Sequence, residues 1–427
     1  MWVRKQIYRL ASHKFRFENY LLSSDDSLLG KVYDMAQALK YADKAGFNTL
    51  RRPLASGNAN RVTILNRADN KLRDMVMFGS NTYLGLTTHP RVKRAAQDAI
   101  DEYGVGSGGV PLLSGTNRLQ DQLEKKVAEL KDCEDAMLFT SGYLANIGCV
   151  TGLMRDGDLI INDRLNHASI IDGCRLSGSK YVTFKHNSIK GLQRKFANFS
   201  AAYRDRTLVA MDGVYSMEGD IAKLDEIVPI AKEHGALVMI DDAHATGVIG
   251  EHGKGTKSHF GITDGVDIVV GTLSKAIGVV GGFVASSKEI IDYLRIYSRS
   301  NMFSTSLPPA VCAAAIEAIN VMEEEPHLIE NLWKNIEYVK SNLNHLGFNT
   351  GLSETAIIPV FVDDDESIVL MQREIHEKGL FLNTIAPPVV PPKESRFRVS
   401  VMATHTKEDM DFLLEVMSSL GKKYKVI

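Results

Sequence analysis

From Met75 onward the chain alternates short, continuous apolar runs with longer stretches of helical periodicity. AMLFT (Ala136 to Thr140) precedes SGYLANIGCVTGLM, and DLIIND (Asp158 to Asp163) precedes HASIIDGCRL. TLVAMDGV (Thr207 to Val214), ALVMID (Ala236 to Asp241) and DIVVGT (Asp267 to Thr272) continue the series. Runs without polar alternation suit strands covered on both faces, with the intervening helices as crossovers. The pattern predicts an α/β domain with a large, mostly parallel sheet. Beyond it, Ala310 to His327 reads as a long helix that ends at an acid run. A second helix (Leu328 to Leu346), strands near AIIPVFV and RFRVSVM, and a closing helix (Lys407 to Leu420) predict a smaller α+β segment.

The first 75 residues lack this alternation and read as an accessory arm, with a loop-like stretch RRPLASGNAN (Arg51 to Asn60). The expected division is an arm over 1–75, a large domain over 76–309 and a small C-terminal domain over 310–427. MWVRKQIYRLASHKFRF opens the chain with five basic residues and no acid, and Trp2, Ile7, Leu10, Phe15 and Phe17 could share a helical face. The leading reading is an amphipathic helix lying on the protein or a partner subunit. A membrane-surface helix and an organellar presequence are the alternatives.

Composition narrows the classes. The chain has 427 residues, 44% of them hydrophobic, which supports a sizeable core. The formal net charge is −2 with the two signs interspersed, which argues against nucleic-acid binding. Cys133, Cys149, Cys174 and Cys312 are scattered and form no CxxC pair, so neither a disulfide scaffold nor a zinc site is expected, and no metal is. A reducing, cytoplasmic setting fits. No apolar stretch is long enough to predict a spanning helix.

In open α/β sheets the ligand sits at the carboxyl ends of the strands. Three features lie at such ends. Ser141, Gly142 and Tyr143 follow AMLFT and open a helix, whose N-terminal N–H groups and dipole suit a phosphate. Asp241 ends a buried strand, where a carboxylate needs a cationic or hydrogen-bonding partner, and His244 follows three residues later. Lys275 stands in VGTLSKAIGVVGG (Val270 to Gly282), a run with no other charge, flanked by Thr272 and Ser274. Burial favours the neutral, nucleophilic amine, whose standard use is a Schiff base to an aldehyde cofactor. Each feature has an ordinary structural alternative: a common strand-to-helix turn, a hydrogen-bonded pair, a lysine reaching to solvent. Together, phosphate cradle, strand-end aspartate and strand-end lysine are the three handles that pyridoxal 5'-phosphate (PLP) requires.

Several segments carry a resemblance. LNHASIIDGCRL (Leu165 to Leu176), MDGVYSMEGDIAKL (Met211 to Leu224), IDDAHATGVIGEHGKG (Ile240 to Gly255), GTLSKAIG and FSTSLPPA (Phe303 to Ala310) resemble the α-oxoamine synthases, as do SNTYLGL (Ser80 to Leu86) and RFRVSVMATHT (Arg396 to Thr406). The resemblance covers roughly residues 75 to 415 and implies the aspartate-aminotransferase-like fold of PLP-dependent transferases, fold type I. It also implies an acyltransferase that condenses a small amino acid with an acyl thioester, expelling the thiol and carbon dioxide. The implied catalytic residues are Lys275, His167, Asp241 and His244. His167 would stack on the cofactor ring, His244 and Ser216 would bond its 3'-oxygen, and Asp241 would meet its nitrogen. Gly142, Tyr143 and Thr272 would approach phosphate and ring, with Ser304 reaching the phosphate from the other subunit of a homodimer. Arg398 would pair with the amino-acid carboxylate and Asn81 would line the substrate pocket. Arg396 lies on the same strand face as Arg398 and is an alternative partner for that carboxylate.

GSGGVPLLSGTNRLQDQLE (Gly106 to Glu124) departs from the family pattern at two positions. Pro111 stands where an arginine is usual and Gln120 where a histidine is usual. These departures leave the acyl donor open between coenzyme A and an acyl carrier protein. Val110 lies where the amino-acid side chain could be sensed and favours glycine or alanine. Two rival readings remain at this stage: other PLP chemistry on the same scaffold, such as transamination or aldol cleavage, and a non-catalytic partner subunit.

Overall fold

The computed structural model describes residue 27 and residues 29–44, 51–66, 69–386, 390 and 393–427. The basic segment at residues 1–17 lies outside the described residues. The described residues form two compact units, one of residues 81–332 and one that joins the described parts of 1–80 and 333–427.

The 81–332 unit is built on a seven-stranded sheet. Its strands are β1 (Asp135–Phe139), β2 (Leu159–Asp163), β3 (Lys180–Phe184), β4 (Thr207–Asp212), β5 (Leu237–Asp241), β6 (Ile268–Thr272) and β7 (Gly282–Ser286), in the spatial order β1-β7-β6-β5-β4-β2-β3. β2 to β6 run parallel, and β7 is antiparallel to both β1 and β6. The five apolar runs read from the sequence are five of these strands. Successive residues feed opposite cores: Ile160, Leu208, Met239 and Ile268 pack in one cluster, Ile161, Val209, Ile240 and Val269 in the other. That double burial is why the runs lack polar alternation. β3 and β7 were not read from the sequence. KYVTF forms a sheet edge with Lys180, Tyr181 and Thr183 exposed, and GFVAS returns immediately after the glycine-rich stretch that follows Lys275. An exposed edge lysine discourages pairing with another chain.

Three helices of this unit follow its first three strands. α1 (Gly142–Leu153) follows β1, α2 (Ala168–Leu176) follows β2, and α3 (Ile189–Tyr203) follows β3. Ser141 caps α1 by accepting the Leu144 N–H, and His167 caps α2 by accepting the Ser169 N–H. Behind the site, Lys131 Nζ is wholly buried and donates to Asp242 Oδ2 at 3.0 Å, Thr246 Oγ1 at 2.7 Å and the Lys254 carbonyl at 2.7 Å. All three ammonium protons are thereby used. All four cysteines are free, and burial pushes the Cys149, Cys174 and Cys312 thiols up to about 12.

The other unit holds two three-stranded sheets. Arg61–Asn66 pairs antiparallel with Lys71–Met77, which also pairs parallel with Leu380–Phe381. Segment 61–77, most of it read as part of the arm, thus shares a sheet with residues near the C-terminus. Ile357–Phe361 and Asn383–Ile385 both pair antiparallel with Arg396–Ser400. The closing helix, Lys407–Lys423, begins with a capping box between Thr406 and Asp409. Among the described residues, no helix is long and apolar enough to cross a membrane.

Candidate active site

At the carboxyl end of the seven-stranded sheet lies a cavity of about 260 Å³. Ser141, Gly142, Tyr143, His167, Asp241, His244, Thr272 and Lys275 all line it. Eight residues separated by up to 134 positions in the sequence meet there because β1, β2, β5 and β6 end on the same side.

The wall where α1 meets the end of β6 is tightly made. A Cβ built on Gly142 would lie 2.9 Å from the Thr272 Cβ, so only glycine lets the first turn of α1 approach the end of β6 this closely. Thr272 Oγ1 donates to the Gly281 carbonyl at 2.9 Å and accepts the Ser274 N–H at 3.2 Å, which folds the turn after β6 back on itself. Lys275, half-buried, projects from that turn into the cavity wall.

The floor is a hydrogen-bonded chain. Asn146, one turn into α1, donates through Nδ2 to Asp241 Oδ2 at 2.6 Å and to Ser169 Oγ at 2.8 Å. Ser169 Oγ in turn lies 2.7 Å from His167 Nδ1, which also accepts the Ser169 N–H. Nδ1 is therefore an acceptor, and the neutral ring carries its proton on Nε2. Asp241 Oδ1 accepts the Ala243 N–H at 2.9 Å. His167 keeps accessible surface because it faces the open cavity, yet the atoms crowded around it desolvate it. That burial lowers its pKa, with Lys275 adding to the effect and Asp241 opposing it.

Asp212 sits beside Asp241, in register on the neighbouring parallel strand. Burial holds the Asp212 carboxyl well above its ordinary range, and the Asp241 charge adds to the shift. Both of its oxygens accept the His167 backbone N–H, at 3.1 and 3.2 Å. His244 Nδ1 lies 2.6 Å from the Tyr83 hydroxyl. The Tyr143 hydroxyl donates to Asp172, and its ring meets the His167 ring edge-on with centroids 6.4 Å apart.

Asn146, Asp212 and Tyr83 escaped the sequence reading. Asp212 had the same signature as Asp241, since TLVAMD and ALVMID both end a buried run in aspartate. Asn146 was legible as the one amide within the apolar helix SGYLANIGCV. Tyr83 stands in SNTYLGL with nothing in the pattern to set it apart.

Four expected residues do not line this cavity. Ser216 lies two positions beyond Val214, which does. Ser304 lines a separate cavity of about 420 Å³, together with Pro111, Gln120 and Arg295. Asn81 is half-buried at the start of its unit. Arg398 belongs to the other unit, where it is buried and donates to Ser400 Oγ at 2.9 Å. Gln120 has a structural task. It completes a capping box with Asn117 and donates to the Leu307 carbonyl at 2.9 Å, so its amide is committed within the fold.

The cavity fits PLP on its own geometry. A cradle that a single Cβ would obstruct faces a helix N-terminus, an amine stands at its wall, and a carboxylate lies on its floor. The buried Asn146 Oδ1 has no partner among the described residues, which leaves acceptor capacity at the same place. The aminotransferase class I and II family model matches residues 73–417. An 8-amino-7-oxononanoate synthase of Thermoanaerobacter pseudethanolicus is 46% identical over 83% of this chain and 90% of its own length. A serine palmitoyltransferase of Sphingobacterium spiritivorum is 44% identical over 82% and 88%. The chain belongs to the α-oxoamine synthase family. Its activity is PLP-dependent decarboxylative condensation of an amino acid with an acyl thioester. Solved structures agree with the fold. The serine palmitoyltransferase of S. paucimobilis, described with PLP bound, superposes with a TM-score of 0.88 at 32% identity, covering 94% of this chain and 100% of that one. The 8-amino-7-oxononanoate synthase of Francisella tularensis superposes at 0.70 with 25% identity over 83% and 99%.

Proposed function

We propose that Lys275 is the amine that holds PLP and later moves the amino-acid Cα proton, and that the surrounding residues divide the remaining work. The observation that carries this is the convergence of Lys275, Asp241, His167, Gly142 and Thr272 on one cavity. PLP, when bound, supplies an electron-withdrawing ring that takes up negative charge from the amino-acid Cα. Asp241, oriented by Asn146 and Ala243, holds a proton at the ring nitrogen. His167, its neutral ring steered by Ser169, covers the ring face. His244, tied to the Tyr83 hydroxyl, and Ser216 hold the ring 3'-oxygen. Ser141, Gly142, Tyr143 and Thr272 bind the phosphate at the N-terminus of α1.

Arg398 takes the amino-acid carboxylate through the fork geometry of its guanidinium, with Asn81 beside the substrate. Arg396 is the weaker choice, because its guanidinium lies 4.4 Å over the Phe361 ring. Ser304 serves the phosphate of a second copy in a homodimer. That reading is supported by its position in a cavity distinct from the one holding Lys275 and by the prevalence of two-fold assemblies.

The amino acid is small, glycine or alanine, with Val110 near its side chain. The acyl group arrives on an acyl carrier protein. Pro111 supports this by removing the family's usual cation from a loop that faces the substrates. The test is a panel of amino acids combined with matched acyl-CoA and acyl-carrier thioesters, following free thiol and carbon dioxide. One small amino acid and the carrier thioester should give both products in equal amounts. A clear preference for coenzyme A would overturn the donor assignment. A keto acid or aldehyde without thiol would overturn the reaction itself.

A further inference from the structure

His186 follows the edge strand β3 and plays no part in the roles assigned above. Its two ring nitrogens each meet a carboxylate: Nδ1 lies 3.1 Å from Asp163 Oδ1, and Nε2 lies 2.9 Å from Asp220 Oδ2. A neutral imidazole has one N–H and would turn a lone pair toward one of these carboxylates, whereas an imidazolium donates to both. Burial alone would lower the imidazolium pKa, but the two carboxylates outweigh it and raise it to about 10.

The two carboxylates lead to the two loops that matter. Asp163 is the last residue of β2, and its side chain also accepts the Leu165 N–H at 2.8 Å and the Asn187 N–H at 2.8 Å. Leu165 stands two residues before His167. Asp220 also accepts the Asn187 amide through Oδ2 at 2.9 Å, and its carbonyl accepts the Tyr215 N–H at 3.0 Å. Tyr215 stands directly before Ser216, and its ring packs edge-on against His186 with centroids 4.3 Å apart. The His186 side chain is 17% exposed, Asp163 0% and Asp220 10%, so water screens these contacts weakly.

We propose that His186 is a positioning residue whose imidazolium locks the turn presenting His167 to the loop presenting Ser216. The proposal rests on the reading of those two residues as cofactor contacts. It assigns His186 no contact with cofactor or substrate. It accounts for a cation placed between two buried carboxylates, which an apolar residue would leave without this counter-charge.

The test has two parts. In the wild-type holoenzyme, nitrogen NMR of selectively labelled histidine should show both His186 ring nitrogens protonated at pH 8; a neutral tautomer there overturns the proposal. His186→Gln, which cannot donate to both carboxylates, should lower kcat/KM between about tenfold and 100-fold and shift the absorbance of bound PLP. His186→Arg, which restores two charge-assisted donors, should recover part of the loss. Ser216→Ala and His167→Gln are measured alongside. If they alter PLP affinity and absorbance while His186→Gln does neither, His186 does not position the loops. If they alter neither, the reading of Ser216 and His167 fails and the proposal falls with it.

Discussion

The Asn146 amide nitrogen lies 2.6 Å from Asp241 Oδ2 and 2.8 Å from Ser169 Oγ, so one side chain on α1 fixes both the Asp241 carboxylate and the hydroxyl that meets His167 Nδ1. Removing the amide takes the Asn146 donor from Asp241 Oδ2 and leaves the carboxylate the Ala243 N–H. Hydrogen bonds to charged groups contribute about 1.5–3 kcal/mol, so Asn146→Ala should lose roughly tenfold to 100-fold in kcat/KM, read by steady-state kinetics with PLP in excess. An unchanged rate would mean that Asp241 needs no fixed donor from α1.

Asp212 responds in the opposite sense to an ordinary carboxylate. Its folded pKa lies above its unfolded value, because of burial and the Asp241 charge. The folded state then holds a proton that the unfolded state releases as pH rises above about 4. This group therefore costs stability progressively from that pH toward neutrality. Asp212→Asn keeps an acceptor for the His167 N–H and removes the titration. The difference in Tm between variant and wild type should move in the variant's favour between pH 4 and 7. A difference that is flat with pH would contradict the shift.

Gly142 tests the cradle. An alanine there meets the Thr272 Cβ at 2.9 Å, and overpacking of this kind costs about 1–3 kcal/mol. The cost falls where α1 and the turn after β6 converge on the cavity. PLP dissociation from Gly142→Ala, followed by absorbance during reconstitution, should weaken by at least roughly fivefold. Wild-type affinity would show that the approach is not needed for binding.

The sheet and most of the site were legible because one physical cause wrote both. Strands buried on two faces must be apolar throughout, so the polar residues that end them, Asp241 and the Thr272–Lys275 turn, stand out. Asp212 carried the same mark and was overlooked. β3 escaped because an edge strand mixes exposed Lys180 and Tyr181 with buried Phe184. β7 escaped because its five residues, GFVAS, are short and begin in glycine. Asn146 and His186 act through hydrogen bonds to groups 95 and 34 positions away, to Asp241 and Asp220, a relation that no local spacing encodes. Gln120 looked like a departure in substrate recognition, but its side chain is spent on a helix cap.

Lys131 is expected to matter for folding rather than for chemistry. Breaking a buried ion pair by removing one partner costs about 3–5 kcal/mol. Lys131→Met should therefore destabilise by that amount in urea unfolding, and adding Asp242→Asn should recover part of it. If the single substitution were neutral, the Lys131–Asp242 contact would not hold the loop that follows β5.

The assignment of Lys275 is tested most directly by turnover. Lys275→Ala, reconstituted with PLP, is assayed for thiol and carbon dioxide release alongside wild-type enzyme on the same amino acid and acyl thioester. Loss of an essential proton-transfer group should reduce the rate by about 10²–10⁴-fold, while PLP is still retained by the phosphate cradle and Asp241. Wild-type release of both products by Lys275→Ala would contradict the account, and would place the reacting amine elsewhere in the chain.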